Sequence, residues 1–333
     1  MTEKRIVYTK HYVVQLLSLV FVLFTHACAP KPSNNVDASG RLVGNISISG
    51  AFALYPIAIL WSEDFKALHP DVRFNISAGG AGKGITDVLT NMVDIGLVSR
   101  DLHQQEIDKG AYPIHVAKDA VIGTINSTHP NFELIAARGL TQQELVDIFV
   151  TRKYKNWNEI DSRFVAQPIE VYTRSDAAGA AETWAKFLGV NQEDLKGIGI
   201  FGDPGIAQAI KDRPLSIGFN NINYLFDLKT KLPSSGLAVI PIDINHDGKI
   251  DTEEDFYSTL PELTAAVAAN RYPSPPARDL TFVIQQEHRD NALLKAFIQF
   301  VLEKEQQGYL LENGYVPLNE EAIAVENKKL LTR

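Results

Sequence analysis

The chain carries a single cysteine, Cys28, which excludes any internal disulfide and leaves no Cys/His set of the kind that holds zinc. Equally absent are the G-x-S-x-G turn of α/β-hydrolase nucleophiles and the H-E-x-x-H helix of zinc peptidases, and the eight histidines are scattered without ligand spacing. Positive charge is in deficit. With 32 Lys and Arg against 40 Asp and Glu, a net charge of -8 supplies no basic field for a phosphodiester backbone, so nucleic acid is not expected as a partner. There is no internal repeat and no low-complexity tract. What is left is a chain of 333 residues, long enough for one large or two medium domains with a sizeable core.

The N-terminus reads as an export signal. Lys4, Arg5 and Lys10 precede the apolar run VVQLLSLVFVLF, which is short for a membrane span and right for the h-region of a signal peptide. The run ends in THAC. Cys28 thus stands where a bacterial lipoprotein is acylated, although Thr25 and His26 depart from the usual residues before such a cysteine. The expectation is a lipoprotein-type signal over 1–28, a polar Pro-containing tether over 29–41, and a folded part starting near Leu42 in an exported, membrane-anchored protein.

From there strands alternate with helices. NISISG and DVRFNIS alternate like strands, and Ile57, Ala58, Trp61, Phe65 and Leu68 share one helical face between them. A glycine turn, AGGAGKG, feeds a helix expected to turn Ile85, Val88, Leu89 and Met92 inward. VDIGLVS is a third strand, and VAKDAVIGTINS reads as a crossover into a second lobe. Thr141 and Glu144 form a capping box, and PIEVYTRSDAAGAAETWAKFL is again strand, turn, helix. PSPPARDLTFVIQQ reads as the return crossover and NALLKAFIQFVL as an amphipathic closing helix. This alternation predicts an α/β protein with parallel layers.

Three turns share one design of strand, small residues and helix start: GAFALYP at 50–56, AGGAGKG at 78–84 and DAAGA at 176–180. Helix N-termini present unpaired N–H groups and the positive end of the dipole, so each is a candidate anion pocket. A Walker A loop is excluded at the second, because Ser77 stands where the first glycine belongs and Gly84 where Ser or Thr must bind magnesium.

Taken together, GAFALYP, HPDVRFNISAGGAGKGI, VDIGLVSRDL, VAKDAVIG, LVDIFVTRKYKNW, IEVYTRSDAAGAAETW, LSIGF and KEQQGYLLENGYVPL resemble the phosphate-binding proteins of ATP-driven phosphate importers. The resemblance runs over nearly everything after the tether. It implies a two-lobed type II periplasmic binding protein fold, with lobe I at 42–122 and 279–333 and lobe II at 123–278, closing on an oxyanion. The family's hydroxyl ligands are missing. Ala51, Phe52 and Ala53 replace the first loop's Ser or Thr, Ala81 replaces the second loop's serine, and the third loop reads Ala178, Gly179, Ala180 after Arg174. The resemblance places Arg100 where some members carry an aspartate. Backbone N–H groups at Ala53, Ala81, Gly82, Gly179 and Ala180 survive such changes, and Arg174, oriented by Asp176, is the leading charged ligand. Lys83 is either a ligand or a solvated first-turn lysine, Arg100 either a ligand or a structural ion pair, and Phe52 either core or a pocket wall.

A second signal is unrelated to that resemblance. In DINHDGKIDTEE, Asp243, Asn245, Asp247, the carbonyl of Lys249, Asp251 and Glu254 occupy the ligand positions of an EF-hand calcium loop, with Gly248 at the sharp turn. A strand precedes it instead of a helix. The expectation is one structural Ca2+ over 243–254, bracing a helix at 254–268.

The functional expectation is a non-enzymatic, extracytoplasmic substrate-binding lipoprotein that carries phosphate or a similar oxyanion to the membrane subunits of an ABC permease. The alternative is a relative repurposed for another anionic ligand, or for adhesion or sensing.

Overall fold

The structure is a computed structural model that describes residues 35–331. Cys28 and the expected signal segment lie outside the described residues, among which no helix is long and apolar enough to cross a membrane.

Nine strands form one sheet: β1 (Gly44–Gly50), β2 (Val72–Ala78), β3 (Ile95–Val98), β4 (Ala111–Asn126), β5 (Glu170–Arg174), β6 (Ile198–Ile200), β7 (Ser216–Asn221), β8 (Leu237–Val239) and β9 (Ala277–Gln285). Their order is β2-β1-β3-β9-β4-β7-β5-β6, with β8 also on β4. At each end the strands run parallel, β1 with β2 and β3, β5 with β6 and β7. In the middle β9 and β4 pair antiparallel from Ala111–Gln285 to Ala120–Ala277, with a register shift between His115 and Ala117. Parallel ends need covering helices, and four position the site. They are α1 (Tyr55–Leu68), α2 (Ala81–Leu89), α3 (Gly179–Phe187) and α4 (Gly202–Lys211).

Two separate apolar cores result. One holds Ile46, Trp61, Phe65, Phe282 and Phe297, the other Trp157, Trp184, Phe149 and Phe219. Along β4 the cores part between Ala117 and Ala120, and along β9 between Ala277 and Leu280, so the lobes meet a few residues before the expected 122/123 boundary on β4. A buried ion pair staples the crossing, Arg278 Nε donating to Asp119 Oδ1 at 2.7 Å.

Two local expectations are corrected and a third holds. Leu68 and Met92 are 65% and 72% exposed, because α1 ends at Leu68 and α2 at Leu89, and the apolar period does not continue past them. The helix expected from 254 instead spans Leu260–Ala268, where the Thr259 hydroxyl accepts the Glu262 amide and Pro261 falls in the first turn. The capping box at Thr141 and Glu144 forms as read, each side chain accepting the other's backbone N–H.

The second core also contains a titratable group. His129 is buried with its ring 4.3 Å from that of Trp157, and its Nδ1 accepts the Asn131 amide at 3.0 Å. Burial pushes its pKa down from the ordinary 6.5 to about 4. The folded histidine stays neutral while the unfolded one protonates, so its contribution is complete above the unfolded pKa and is lost as pH falls from 6.5 towards 4. Stability is therefore expected to fall over that window, and His129→Gln to flatten the fall. Urea titrations from pH 7 to 4 check this, and an identical pH slope in the variant would refute it.

Candidate functional site

The cleft between the lobes is built from helix starts. At the end of β1, Gly50 has φ +135°, and a Cβ there would lie 2.3 Å from Leu97 O, so only glycine lets β1 hand over to the first loop this close to β3. Ala51 then donates to Leu97 O at 2.8 Å, and the amides of Gly79 and Gly80 both donate to Gly50 O, which holds the first two loops side by side. The third loop leaves β5 at Arg174 and enters α3 at Gly179.

The lobes are closed on one another. The Gly82 amide, at the start of α2, donates across the cleft to Ala177 O at 3.0 Å, and Tyr224 Oη donates to Phe52 O at 3.1 Å. Where the loops meet, Ala51, Phe52, Ala81, Ser99, Arg174, Ala178, Gly179, Ala180, Asp203 and Asn221 line the space, which admits no water-sized sphere. Among the described residues, the amides of Ala53, Ala81, Gly179 and Ala180 donate to no acceptor. Three of those four belong to lining residues, and they come from helices of both lobes.

Arg174 stands at the centre with its side chain 1% exposed. Its Nε and Nη2 fork onto Asp176 at 2.8 and 2.6 Å, and Nη1 donates to Asp203 Oδ2 at 2.6 Å. Burial opposes its charge, and Asp203 with Asp176 outweighs that opposition, holding its pKa above the ordinary arginine value. Three of five guanidinium hydrogens are thereby used and two remain. The ring of Phe52 caps the group, with Arg174 Cζ 5.5 Å from its centroid and Phe201 edge-on at 5.8 Å, so Phe52 walls the cleft and is not simply core. Behind it, burial and the Asp203 charge push the Tyr224 hydroxyl up, keeping it a donor.

Two expected ligands are directed elsewhere. Lys83 pairs with Asp87 one turn along α2, with its side chain 44% exposed, which is the solvated first-turn arrangement. Arg100 turns out of the cleft, donating from Nη2 to Glu106 at 2.7 Å and pairing through Nε with Glu182 of α3 at 2.9 Å. Its neighbour Ser99 lines the cleft in its place. Together with Lys186–Asp101 at 2.5 Å, Arg100 makes a rim of ion pairs that ties lobe to lobe, and His103 Nε2 lies beside them 3.1 Å from Glu182.

Asp203 is the residue that sequence reasoning missed. It is 1% exposed in the first turn of α4, and its Oδ1 accepts the Asn221 amide at 3.0 Å. The only sequence signal was an acid just after Gly202 in FGDPG, where a carboxylate ordinarily complements a helix dipole.

The fold has known counterparts. A family profile described as "PBP superfamily domain" matches residues 35–305. The phosphate-binding protein PstS of Bacillus subtilis is 30% identical over 226 residues, covering 65% of this chain and 72% of that protein. The chain belongs to this phosphate-binding protein family. Its members are binding proteins of transport and not enzymes. PstS of Pseudomonas aeruginosa is 22% identical over 306 residues, covering 84% of this chain and 85% of that protein. Among solved structures, a putative phosphate ABC transporter substrate-binding protein with bound phosphate from Clostridium perfringens superposes with TM-score 0.68 at 23% identity, over 83% of this chain and all of that one. A periplasmic phosphate-binding protein bound with phosphate gives TM-score 0.66 at 15% identity, over 85% and 92% of the two chains. These two likenesses bear on the fold alone. In this chain the third loop joins Arg174 to the start of α3, and among the described residues the only side-chain hydroxyl lining the cleft is that of Ser99.

Proposed function

We propose that the chain is the extracytoplasmic substrate-binding component of an ABC importer, taking phosphate or a similar tetrahedral oxyanion between its lobes. The observation that carries this reading is the set of unpartnered amides at Ala81, Gly179 and Ala180, contributed by helix starts of both lobes around Arg174. Opening of the lobes admits the anion. Closure brings the starts of α2 and α3 to the space beside Arg174, which has to widen from the arrangement described above to take the anion, and the two spare hydrogens of Arg174 supply the charge-assisted contacts. No bond in the ligand is made or broken. The name of the Bacillus subtilis relative, phosphate-binding protein, supports the same ligand class. A lipid anchor at Cys28 and the tether would hold the protein beside the importer's membrane subunits, which would recognise the closed form.

A second reading has its own support. Hydrogen bonds to a charged group are worth about 1.5–3 kcal/mol each, so a cleft with one hydroxyl binds an oxyanion more weakly than one with several unless the amides compensate. Asp203 also places a second carboxyl group on the arginine where an anion would sit. These features favour a member repurposed for another anionic ligand, for adhesion or for sensing.

Calorimetric titration with phosphate, sulfate and a panel of phosphorylated metabolites separates the two. Submicromolar phosphate binding that is selective over sulfate is the result expected of the importer reading. Absence of heat or thermal stabilisation at millimolar phosphate, with response to another anion, would replace it by the second.

A further inference from the structure

The loop at 243–254 contains two features that its own hydrogen bonding does not explain. Asp243 and Glu254, the first and last of its twelve residues, are 1% and 5% exposed. One oxygen of each is satisfied: Asp243 Oδ2 accepts the Gly248 amide at 3.0 Å, and Glu254 Oε1 accepts the amides of Ile244 and Asn245 at 2.8 and 3.0 Å. The other oxygen of each, Asp243 Oδ1 and Glu254 Oε2, is buried without any hydrogen-bond partner. Among the described residues, no Lys, Arg or His pairs with either carboxylate, and Lys249, inside the loop, pairs with the exposed Asp247 instead. Buried carboxylate oxygens facing neither donor nor cation are costly and rare. Two in one loop, each on a side chain already fastened to the loop's backbone, call for a cation between them.

We infer that this loop is a Ca2+ site, in which Asp243 and Glu254 form its prebuilt inner end. Asn245, Asp247 and Asp251 lie on the outer side, where they hold amides of their own loop: Asn245 Oδ1 that of Asp247 at 2.9 Å, Asp247 Oδ1 that of Lys249 at 3.1 Å, and Asp251 Oδ1 that of Glu253 at 3.0 Å. Among the described residues no three acidic, histidine or cysteine side chains already converge as a finished metal centre. The outer carboxylates and the Lys249 carbonyl therefore close onto the ion as it binds. Calcium suits this because it takes six to eight oxygens in flexible geometry and a bidentate glutamate, whereas Mg2+ demands a tight octahedron and gives up water reluctantly. The loop is also bound to the rest of its lobe. Ile250 donates to Ala137 O at 2.8 Å, and Tyr257 Oη, just beyond Glu254, accepts the Ile242 amide at 3.1 Å. The ion would thus fasten the end of β8, the Ala137–Gly139 corner and the aromatic cluster of Phe256, Tyr257 and Tyr272 to one another. This inference stands independently of the anion reading.

The test is thermal unfolding and calorimetry of the purified full chain in EGTA, in millimolar Ca2+ and in equal Mg2+, beside Glu254→Gln and Asp243→Asn. Calcium is expected to raise the wild-type Tm by about 3 °C or more, with a smaller rise in Mg2+. Both variants are expected to lose the calcium response, and in EGTA to be at least as stable as wild type, because each removes an uncompensated buried charge. A wild-type protein that neither binds Ca2+ by calorimetry nor gains stability from it overturns the assignment. An undiminished calcium shift in both variants overturns it equally, by placing the ion elsewhere. Should a variant fail to fold, the wild-type calorimetry alone still decides.

Discussion

Arg174→Ala is expected to weaken oxyanion binding at least a hundredfold and, in the same protein, to destabilise the fold by roughly 3–5 kcal/mol. The two effects have one cause. Asp176 and Asp203 are buried against the guanidinium, so its removal leaves both carboxyl groups without their positive partner, and the proposed anion would lose the one cationic side chain that lines the cleft among the described residues. A stability loss of that size corresponds to a fall in Tm of roughly 6–15 °C. Arg174→Lys should restore part of the stability and little of the affinity, because an ammonium cannot fork onto Asp176 while donating to Asp203 and ligand. Asp203→Asn separates the roles. It keeps the amide-accepting oxygen at Asn221, leaves Arg174 paired with Asp176, and removes the carboxylate that competes with the anion, so phosphate should bind about tenfold more tightly. Calorimetry with urea unfolding on the three variants measures both quantities. Wild-type phosphate affinity in Arg174→Ala would remove the arginine from the site, and weaker binding in Asp203→Asn would make Asp203 a positioning residue instead of a competitor.

Gly179→Ala is expected to hold the lobes apart. A Cβ at Gly179 would lie 2.3 Å from Ser99 Oγ and 2.5 Å from Ser99 O, and the second is main chain of the opposite lobe, which has no rotamer to escape to. Closure then fails while both cores remain intact. Anion affinity should drop at least a hundredfold, the radius of gyration measured by small-angle scattering with saturating ligand should match that of an open form, and Tm should change little. Gly308→Ala is the control, since its Cβ would meet nothing within 4 Å. A Gly179→Ala protein that still contracts on adding phosphate would show that the close approach of Gly179 to Ser99 does not govern closure.

How far the sequence could be read depended on whether a feature was local. The three strand–turn–helix units, the crossover strands and the capping box at Thr141 were all legible, because period, glycine and cap residues act within a few positions. Where a helix stops is less local. Leu68 and Met92 continued an apolar period that the chain itself abandons, and the start at Leu260 depended on Thr259 and Pro261 outweighing an acidic run that also resembles a first turn. Side-chain partners across the cleft were not legible. Arg100 sits beside cleft-lining Ser99 yet turns outward, because Glu106 and Glu182 converge on it from two different lobes. Asp203 lies 29 residues from the arginine it binds, and nothing in Gly202–Asp203–Pro204 distinguishes a cleft carboxylate from an ordinary helix-start acid. The backbone cradle was legible for the opposite reason: it is made of helix starts, which small residues and glycines mark along the chain.

The continuous sheet has a mechanical consequence. Because β4 and β9 run unbroken from one core to the other and are paired across the crossing, the lobes are joined by a twisted ribbon and not by loose cord. Such a ribbon resists stretching and shear but bends softly about a single axis, and the register shift at His115–Ala117 puts an irregularity near the crossing. The work of separating the lobes is therefore concentrated at the far end of the lever, in the rim ion pairs, the Gly82–Ala177 and Tyr224–Phe52 hydrogen bonds and the close approach of Gly179 to Ser99, and a swing of this kind returns to the same register each time it is released.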